Sequence, residues 1–267
     1  WAFPCTTPSR APRRRRAPPI AWPGRGFIRS EPYGVALVIG PWNYPLQLLL
    51  SPLVGAMAAG NCAILKPSEF APHTAAAVAK LVAETFAEEY LAVVLGEREA
   101  AEALLLEKFD TIFFTGSTNV GRAVMTAAAR HLTPVTLELG GKCPCLVCAD
   151  APIEVAARRI AWGKFMNAGQ TCVAPDFLLV DRRIRKELLA SVKQAIGEFY
   201  GADPATSPDY GRIINRRHFD RLTSYLDNGQ IAHGGQHDAE SLYLAPTILT
   251  DVPMDADRKS TRLNSSH

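Results

Sequence analysis

The segment FMNAGQTCVA, residues 165–174, places one cysteine, Cys172, directly after a Gly-Gln-Thr turn and before small and apolar residues. A thiol is a good nucleophile only as its thiolate, and only where a substrate carbon can reach the sulfur. A turn of this composition can present such a sulfur at the bottom of a tunnel. The alternative is that Cys172 is a small buried hydrophobic residue, which is the usual role of a lone cysteine.

Two further motifs favour the chemical interpretation: PWNYP at Pro41 to Pro45 and LELGGK at Leu137 to Lys142. Together with the Cys172 segment they resemble the NAD(P)-dependent aldehyde dehydrogenases over residues 27–255. The resemblance is greatest to the class 3-like branch, which acts on medium- or long-chain aliphatic and aromatic aldehydes. It implies an α/β fold, with a Rossmann-like parallel-sheet cofactor domain followed by an incomplete α/β catalytic domain.

The resemblance assigns three catalytic roles. Cys172 attacks the aldehyde carbon, Asn43 donates to the oxyanion together with the backbone N–H of Cys172, and Glu138 activates the water that hydrolyses the thioester. Taken alone, Asn43 is more typical of an Asx turn, and Glu138 of a core ion pair with Lys142. Because two leucines flank Glu138, we expect its carboxylate to be partly desolvated.

The segment FTGSTNVGR predicts a phosphate-binding turn between a strand and a helix. There Gly116 would let the backbone bend, Ser117 would bond a phosphate, and Gly121 would let helix and strand approach. Lys66 and Glu69 would grip the adenosine ribose. Alternatively, Ser68 and Glu69 form a solvated capping pair that opens the next helix. Glu69 favours NAD, although Lys66 leaves NADP open. The cofactor-binding residues that the resemblance implies are Ile39, Pro41, Trp42, Lys66, Glu69, Thr115, Gly116, Ser117, Gly121 and Leu139.

The elements that must position these residues alternate between strands and helices, which predicts a parallel sheet covered on both faces. Predicted strands lie at 33–40, 61–68, 91–95, 111–114 and 136–139, then after LELGGK, at 177–180 and at 247–249. Predicted helices lie at 46–59, 74–88, 97–107, 122–129, 153–165 and 184–199. The segment from 116 to 121 is predicted as a turn.

Both ends of the chain differ from this pattern. Residues 1–25 are rich in Pro, Arg and Ala without any period, and we interpret them as a mis-called or disordered segment. Residues 257–267, DRKSTRLNSSH, resemble a translated sequencing adapter and are expected to be non-native. The domains predicted between them are an NAD(P)-binding domain at 26–136 and an incomplete catalytic domain at 137–256. We therefore expect the polypeptide as written to be unstable and inactive.

The net charge of +3 resides in these ends, since residues 1–30 contribute +7 and residues 257–267 contribute +2, leaving −6 for the body. Such a body gives no support for nucleic-acid binding.

Six cysteines without a disulfide-like pattern favour a cytoplasmic location, and no metal site is expected at Cys143, Cys145 and Cys148. The expected partners are an aldehyde and, for the full-length protein, a second copy. Rival interpretations are a non-catalytic relative and a coenzyme A-acylating dehydrogenase.

Overall fold

A computed structural model describes residues 12–253 of the chain. The chain divides after Glu138 into two compact units, here called the first and second units. The predicted non-native tail at 257–267 lies outside the described residues, as does the 1–11 part of the predicted mis-called segment. No helix within 12–253 has both the length and the apolar character that crossing a bilayer requires.

The first unit alternates strands and helices in the way that the sequence predicts. Its strands are β1 (Arg13–Arg15), β2 (Gly26–Ile28), β3 (Val35–Ile39), β4 (Cys62–Lys66), β5 (Leu91–Val93), β6 (Thr111–Gly116) and β7 (Val135–Leu139), the last of which crosses the division between units. Its helices are α1 (Gln47–Ala58), α2 (Pro72–Thr85), α3 (Arg98–Leu104) and α4 (Thr118–Ala129).

One five-stranded sheet in the order β5-β4-β3-β6-β7 organises this unit. Strand β3 pairs in parallel with β4 on one side and with β6 on the other, and β4 pairs in parallel with β5. Because β3 is covered on both faces, four of its five residues are buried. The predicted α/β fold with a parallel sheet is therefore confirmed.

Apolar side chains of the sheet and of two helices form the core of the first unit. Val38 and Leu65, on neighbouring strands, pack with Leu49 and Leu53 of α1 and with Val78 of α2. These side chains are at most 5% exposed. A separate two-stranded antiparallel pair, β1 with β2, has only one residue that is not exposed, Gly26.

The second unit contains more helix and only short strand pairs. Its strands are β8 (Pro144–Val147), β9 (Phe177–Val180), β10 (Gln230–His233), β11 (His237–Asp238), β12 (Tyr243–Leu244) and β13 (Ile248–Thr250). Its helices are α5 (Ile153–Phe165), α6 (Arg185–Tyr200) and α7 (Arg216–Thr223). Strands β8 and β9 pair in parallel, while β10 pairs with β13 and β11 with β12 in antiparallel fashion.

The core of the second unit forms where α5 packs along α6. Ala161 and Phe165 of α5 meet Leu188, Val192 and Ile196 of α6 in one buried cluster. Three tyrosines extend that core as edge-to-face pairs, with Tyr210 between Tyr200 and Tyr243 at ring-centroid distances of 5.0 and 6.1 Å. Such pairs are favourable beyond the area that they bury.

The predicted turn at 116–121 is wrong in part, because α4 begins at Thr118 and not at Arg122. The Ser117 side chain accepts a hydrogen bond from the backbone N–H of Val120 at 3.0 Å and so caps the helix early. The helix α7 and the strands β1, β2 and β10 to β12 were not predicted at all. The remaining predicted elements of the body are present, with their ends shifted by at most a few residues.

Candidate active site

The carboxyl ends of three parallel strands meet at one edge of the first unit's sheet. In the register of the sheet, Ile39 at the end of β3 lies opposite Lys66 of β4 and Phe114 of β6. The chain runs from β3 outward to β4 and β5, then returns to place β6 on the other side of β3. Such a reversal of strand order is where ligands bind in open parallel sheets. The crevice after β3 and β6 is therefore the candidate cofactor site.

Pro41, Trp42 and Asn43 follow β3 directly at this edge. Pro41 is buried, Trp42 is half-buried, and Asn43 is only 7% exposed. A groove of about 500 Å³ opens beside Asn43 and continues along the first two turns of α1. Its lining residues are Asn43, Tyr44, Pro45, Leu46, Gln47, Leu50, Ser51 and Val54.

Thr115 and Gly116 form the end of β6 and Ser117 follows it directly, and all three are buried. The Oγ1 atom of Thr115 indicates a ligand site most directly, because it is buried and has no hydrogen-bond partner among the described residues. A buried hydroxyl in this state is costly unless a ligand or water satisfies it. The Ser117 hydroxyl accepts from Val120 but still carries a proton that it can donate. Both side chains fit a polar ligand in the crevice.

Gly116 is required for a reason that differs from the predicted one. Its φ is not in the left-handed region, so the backbone does not need glycine in order to bend. A Cβ atom at this position would instead lie 2.5 Å from Cζ of the Phe114 ring. Gly121 is buried in the first turns of α4, where its N–H donates to the Ser117 carbonyl at 2.7 Å.

Lys66 and Glu69 form an ion pair at the end of β4, with 3.6 Å between Nζ and Oε2. Lys66 is only 2% exposed and also donates from Nζ to the Pro67 carbonyl at 2.9 Å. The alternative, in which Ser68 and Glu69 cap the next helix as a solvated pair, is wrong, because Ser68 is buried and α2 begins only at Pro72 with Ala71 as its N-cap. A buried cation and an exposed carboxylate thus flank this edge of the sheet.

Glu138 lies on β7, at the end of the first unit, with Leu139 as the first residue of the second. The expected partial desolvation of Glu138 is wrong for this chain. Along β7 the half-buried residues Val135, Leu137 and Leu139 alternate with exposed ones, and Glu138 is exposed. Successive side chains of a strand point to opposite faces, so its flanking leucines do not cover Glu138.

The loop before Cys172 contains three consecutive residues with left-handed backbone. Asn167 and Ala168 have φ values of 53° and 52°, and Gly169 follows at 77°. For residues other than glycine this conformation costs about 1–3 kcal/mol each and persists only when the surroundings enforce it. The run turns the chain sharply between the end of α5 and Cys172, which is half-buried.

The buried side chain of Gln170 helps to hold this left-handed backbone in place, and it is only 2% exposed. Its Nε2 atom donates to the carbonyl of Asn167 at 3.1 Å and to that of Arg212 at 3.0 Å. Its Oε1 atom accepts from the backbone N–H of Ile214 at 2.9 Å. The amide therefore ties the Cys172 loop both to itself and to a segment more than forty residues away.

A buried ion pair brackets the same loop. Lys164, at the end of α5, lies 3.5 Å from Asp176, just before β9, with side chains 17% and 5% exposed. Within residues 12–253, neither Nζ of Lys164 nor Oδ1 of Asp176 has a hydrogen-bond partner in addition to this ion pair. Burial lowers the pKa of Lys164, and the charge of Asp176 opposes that effect.

Within residues 12–253 there is no cluster of three or more His, Cys, Asp or Glu that could hold a metal.

The sequence profile of the aldehyde dehydrogenase family matches residues 9–260. The chain belongs to the aldehyde dehydrogenase family. A rat relative, the dimeric NADP-preferring aldehyde dehydrogenase, is 55% identical over 226 residues, which cover 85% of this chain and 50% of the relative. A mouse relative, aldehyde dehydrogenase family 3 member A2, is 52% identical over 85% of this chain and 47% of its own length.

The fold also matches a solved aldehyde dehydrogenase. The substrate-bound state of Staphylococcus aureus AldH superposes with a TM-score of 0.86 at 46% identity, covering 92% of this chain and 54% of that one. The chain therefore spans about half the length of the relatives that it matches. Aldehyde dehydrogenases use NAD or NADP, which agrees with the polar crevice after β3 and β6.

As a member of this family, the chain distributes its predicted site residues over both units. Asn43, Glu138 and all the predicted cofactor residues except Leu139 belong to the first unit, whereas Cys172 and Leu139 belong to the second. The structure brings the residues after β3, β4 and β6 together at one edge of the sheet.

The sequence analysis missed the supports of the Cys172 loop: Gln170, Lys164 and Asp176. Gln170 lies in the recognised motif, two residues before the cysteine. Its bracing role was missed because its partners, Arg212 and Ile214, are more than forty residues away in the sequence. Lys164 and Asp176 look like ordinary surface charges, since nothing in their local sequence indicates that both are buried.

Proposed function

We propose that the protein oxidises an aldehyde to a carboxylic acid with NAD⁺ or NADP⁺, using Cys172 as the nucleophile. The observation that carries this proposal is the Cys172 loop. In a chain of this family, left-handed backbone at Asn167 and Ala168 and the buried amide of Gln170 hold a half-buried thiol in one place. A nucleophile held in advance loses less freedom when it attacks, which is a major source of rate enhancement.

In the proposed reaction, Sγ of Cys172 attacks the aldehyde carbon and forms a thiohemiacetal. The amide N–H of Asn43 and the backbone N–H of Cys172 stabilise the negative charge that develops on oxygen. A bound nicotinamide dinucleotide would accept the hydride that leaves the former aldehyde carbon, and this loss turns the thiohemiacetal into a thioester. The resulting thioester on Cys172 is then hydrolysed by a water from which the Glu138 carboxylate takes a proton.

The crevice after β3 and β6 is proposed to hold the cofactor. The unsatisfied Oγ1 of Thr115 and the hydroxyl of Ser117 would contact its polar groups, with Ile39, Pro41 and Trp42 on the β3 side. Glu69 would accept hydrogen bonds from the adenosine ribose, which favours NAD. The buried ammonium of Lys66 would equally suit a 2′-phosphate, and the rat relative is named NADP-preferring. We therefore propose NAD, with NADP as the alternative that a binding titration separates.

Medium- or long-chain aliphatic and aromatic aldehydes are the proposed substrates. Two observations support this class of substrate. The chain is 52% identical to a family 3 protein, and the groove beside Asn43 is lined in part by Leu46, Leu50 and Val54. A homodimer is proposed for the full-length protein, in keeping with the word dimeric in the rat relative's name. The cytoplasmic location stays a prediction from cysteine usage.

The test uses the full-length product of the parent gene beside this chain. Purified protein is mixed with hexanal or benzaldehyde and either dinucleotide, and the reduced nicotinamide is followed by its absorbance. Cys172→Ser should abolish turnover. Glu138→Gln should give a single burst of reduced cofactor and a thioester on Cys172 that is visible by intact mass. Cys148→Ser, which changes an exposed cysteine, is the matched control and should retain full activity.

The outcomes separate the proposal from its rivals. Full-length protein that binds dinucleotide without any turnover would favour a non-catalytic relative. Turnover that survives Cys172→Ser would show that Cys172 is not the nucleophile. Product formation that requires coenzyme A would favour an acylating dehydrogenase and remove the role of Glu138.

A further inference from the structure

A second thiol lies beside Cys172 and takes no part in the proposed reaction. Sγ of Cys143 donates a hydrogen bond to the backbone carbonyl of Cys172 with 3.3 Å between sulfur and oxygen. Both cysteines are half-buried. They stand 29 residues apart in sequence, so only the fold of the second unit brings them together.

Both cysteines are anchored to the same pair of strands. The carbonyl of Cys143 accepts from the N–H of Asp176 at 2.9 Å, immediately before β8 and β9 pair from Pro144 and Phe177 onward. Cys172 is four residues before Asp176, joined by a tight turn in which Ala174 N–H donates to Thr171 at 3.1 Å. The separation between the two thiol-bearing segments is therefore fixed by backbone hydrogen bonds.

The contact places the Cys143 sulfur close to Cys172. A carbonyl oxygen lies about 2.4 Å from the Cα atom of its own residue, so Sγ of Cys143 lies within about 6 Å of the Cα of Cys172. A disulfide requires the two Cα atoms to be about 4.4–6.8 Å apart. Formation of the bond therefore requires the two side chains to rotate toward each other and the Thr171–Ala174 turn to adjust.

The ion pair of Lys164 and Asp176 also lies beside Cys143. Burial lowers the pKa of Lys164, whereas the charges of Asp176 and Cys143 raise it. The thiolate is the form of a cysteine that attacks another sulfur. Of the other thiols in the CPCLVC segment, Cys145 has its pKa raised by burial, and Cys148 is exposed.

We propose that Cys143 is a resolving thiol, which captures an oxidised Cys172 as a Cys143–Cys172 disulfide. The inference rests on the proposed function only in requiring that Cys172 be a reactive thiolate. Its consequence is that peroxide blocks the nucleophile reversibly, before further oxidation of the sulfur can destroy it.

The chemistry needs a hydroperoxide as oxidant. The Cys172 thiolate attacks the distal peroxide oxygen, the O–O bond breaks, and the alkoxide or hydroxide that leaves takes up a proton, so that Cys172 becomes a sulfenic acid. The Cys143 thiolate then attacks the Cys172 sulfur, the S–O bond breaks, and hydroxide leaves and takes up a proton as water. One hydroperoxide is reduced and two thiols are oxidised to one disulfide.

The test needs neither substrate nor cofactor and uses the chain itself. Reduced protein is treated with hydrogen peroxide, its remaining thiols are blocked with iodoacetamide, and non-reduced tryptic peptides are analysed by mass spectrometry. Trypsin cuts after Lys142, Arg158, Lys164 and Arg182, so the two cysteines fall into separate peptides, 143–158 and 165–182. A Cys145→Ser/Cys148→Ser background leaves Cys143 as the sole thiol of its peptide.

The expected result is a linked 143–158/165–182 pair that dithiothreitol separates. Cys143→Ser should abolish this pair and let Cys172 proceed to sulfinic and sulfonic acids, which dithiothreitol does not reverse. Serine can still donate to the Cys172 carbonyl, so the fold is expected to persist, and thermal unfolding checks this. Neither Cys145→Ser nor Cys148→Ser should affect the link.

Two results would overturn the inference in different ways. If iodoacetamide labels Cys172 readily but peroxide gives no link to Cys143, the resolving role alone fails. If Cys172 reacts with neither reagent in folded protein, its role as the proposed nucleophile fails as well. A link that persists through Cys145 or Cys148 when Cys143 is replaced would also contradict the assignment.

Discussion

The Oε1 atom of Gln170 accepts a hydrogen bond from the backbone N–H of Ile214 at 2.9 Å, joining residues that are 44 positions apart. Through this contact the left-handed run before Cys172 is held by a segment that leads into α7. The loop is thus braced from outside, and its conformation does not depend on its own residues alone. A buried amide with donor and acceptor both engaged fixes a unique arrangement, because any shift leaves polar atoms unsatisfied.

Replacing Gln170 by Met should therefore loosen the loop. The side chain keeps its size, but the Arg212 carbonyl and the Ile214 N–H lose their partner. Since an unsatisfied buried polar group costs about 1–3 kcal/mol, we expect the free energy of unfolding to fall by about that amount. Hydrogen exchange of the Ile214 amide should accelerate more than that of the α6 amides, measured by NMR or mass spectrometry.

The matched control for this prediction is Gln194→Met, which changes an exposed glutamine of α6 whose amide donates to the Glu198 carboxylate on the same helix. Stability and Ile214 exchange should remain unchanged there. Equal effects of the two substitutions would show that Gln170 does not brace the loop.

Gly116→Ala should destabilise the first unit by crowding. The added methyl would lie 2.5 Å from the Phe114 ring, and overpacking of this kind costs about 1–3 kcal/mol. Gly55→Ala is the control, because a Cβ there meets nothing within 4 Å and alanine stabilises a helix by about 0.5–1 kcal/mol. Urea unfolding should therefore move in opposite directions for the two variants. Phe114→Leu in the Gly116→Ala background should recover part of the loss; similar midpoints for both glycine variants would refute the steric explanation.

How far the sequence predicts this fold depends on the length of each element and on its period. Helix α5 and strand β9 were predicted with their observed bounds, because long apolar periodicity and a run of four apolar residues are local signals. Helix α7 was missed because its sequence, RRHFDRLT, is mostly charged and buries only His218, Phe219 and Leu222. Its one local signal was Asn215, whose side chain caps the helix by accepting from His218 N–H.

The site shows the same division. Cys172, Asn43 and Glu138 stand in recognisable motifs, so the sequence alone suggested their roles. The alternation of β7 exposes Glu138, although its leucine neighbours suggested desolvation. The partners of Gln170 and the contact between Cys143 and Cys172 arise from pairings across 29 to 44 residues, which no local pattern encodes.

Breaking the Lys164–Asp176 pair should strongly destabilise the second unit. Removal of one partner leaves the other charge buried and alone, which costs about 3–5 kcal/mol. Either Lys164→Met or Asp176→Asn should therefore lower the free energy of unfolding by several kcal/mol, and the double variant should lose less than the sum of the two. Lys80→Met and Glu84→Gln form the control cycle, since that pair is 76% and 64% exposed and should couple by no more than about 1 kcal/mol. Additive losses at Lys164 and Asp176 would contradict the ion-pair role.

His233 should make the stability of the second unit depend on pH. Burial lowers its pKa below the usual 6.5, and the neighbouring Lys193 lowers it further. The unfolded chain therefore binds a proton more readily than the folded one, so protonation favours unfolding. The stability associated with neutral His233 is fully present above about pH 6.5, and it is lost as the pH falls through the pKa of His233 in the folded protein.

The ring proton of His233, assigned with His233→Gln and followed by NMR, should titrate below the value of a model peptide. Lys193→Gln should raise that pKa, whereas Lys186→Gln, on the exposed part of the same helix, should leave it unchanged. The His233→Gln variant should also show a weaker fall of the unfolding free energy between about pH 6.5 and 5, because it has no proton to take up. An unshifted His233 titration, or an equal response to the two lysine substitutions, would show that neither burial nor Lys193 controls this group.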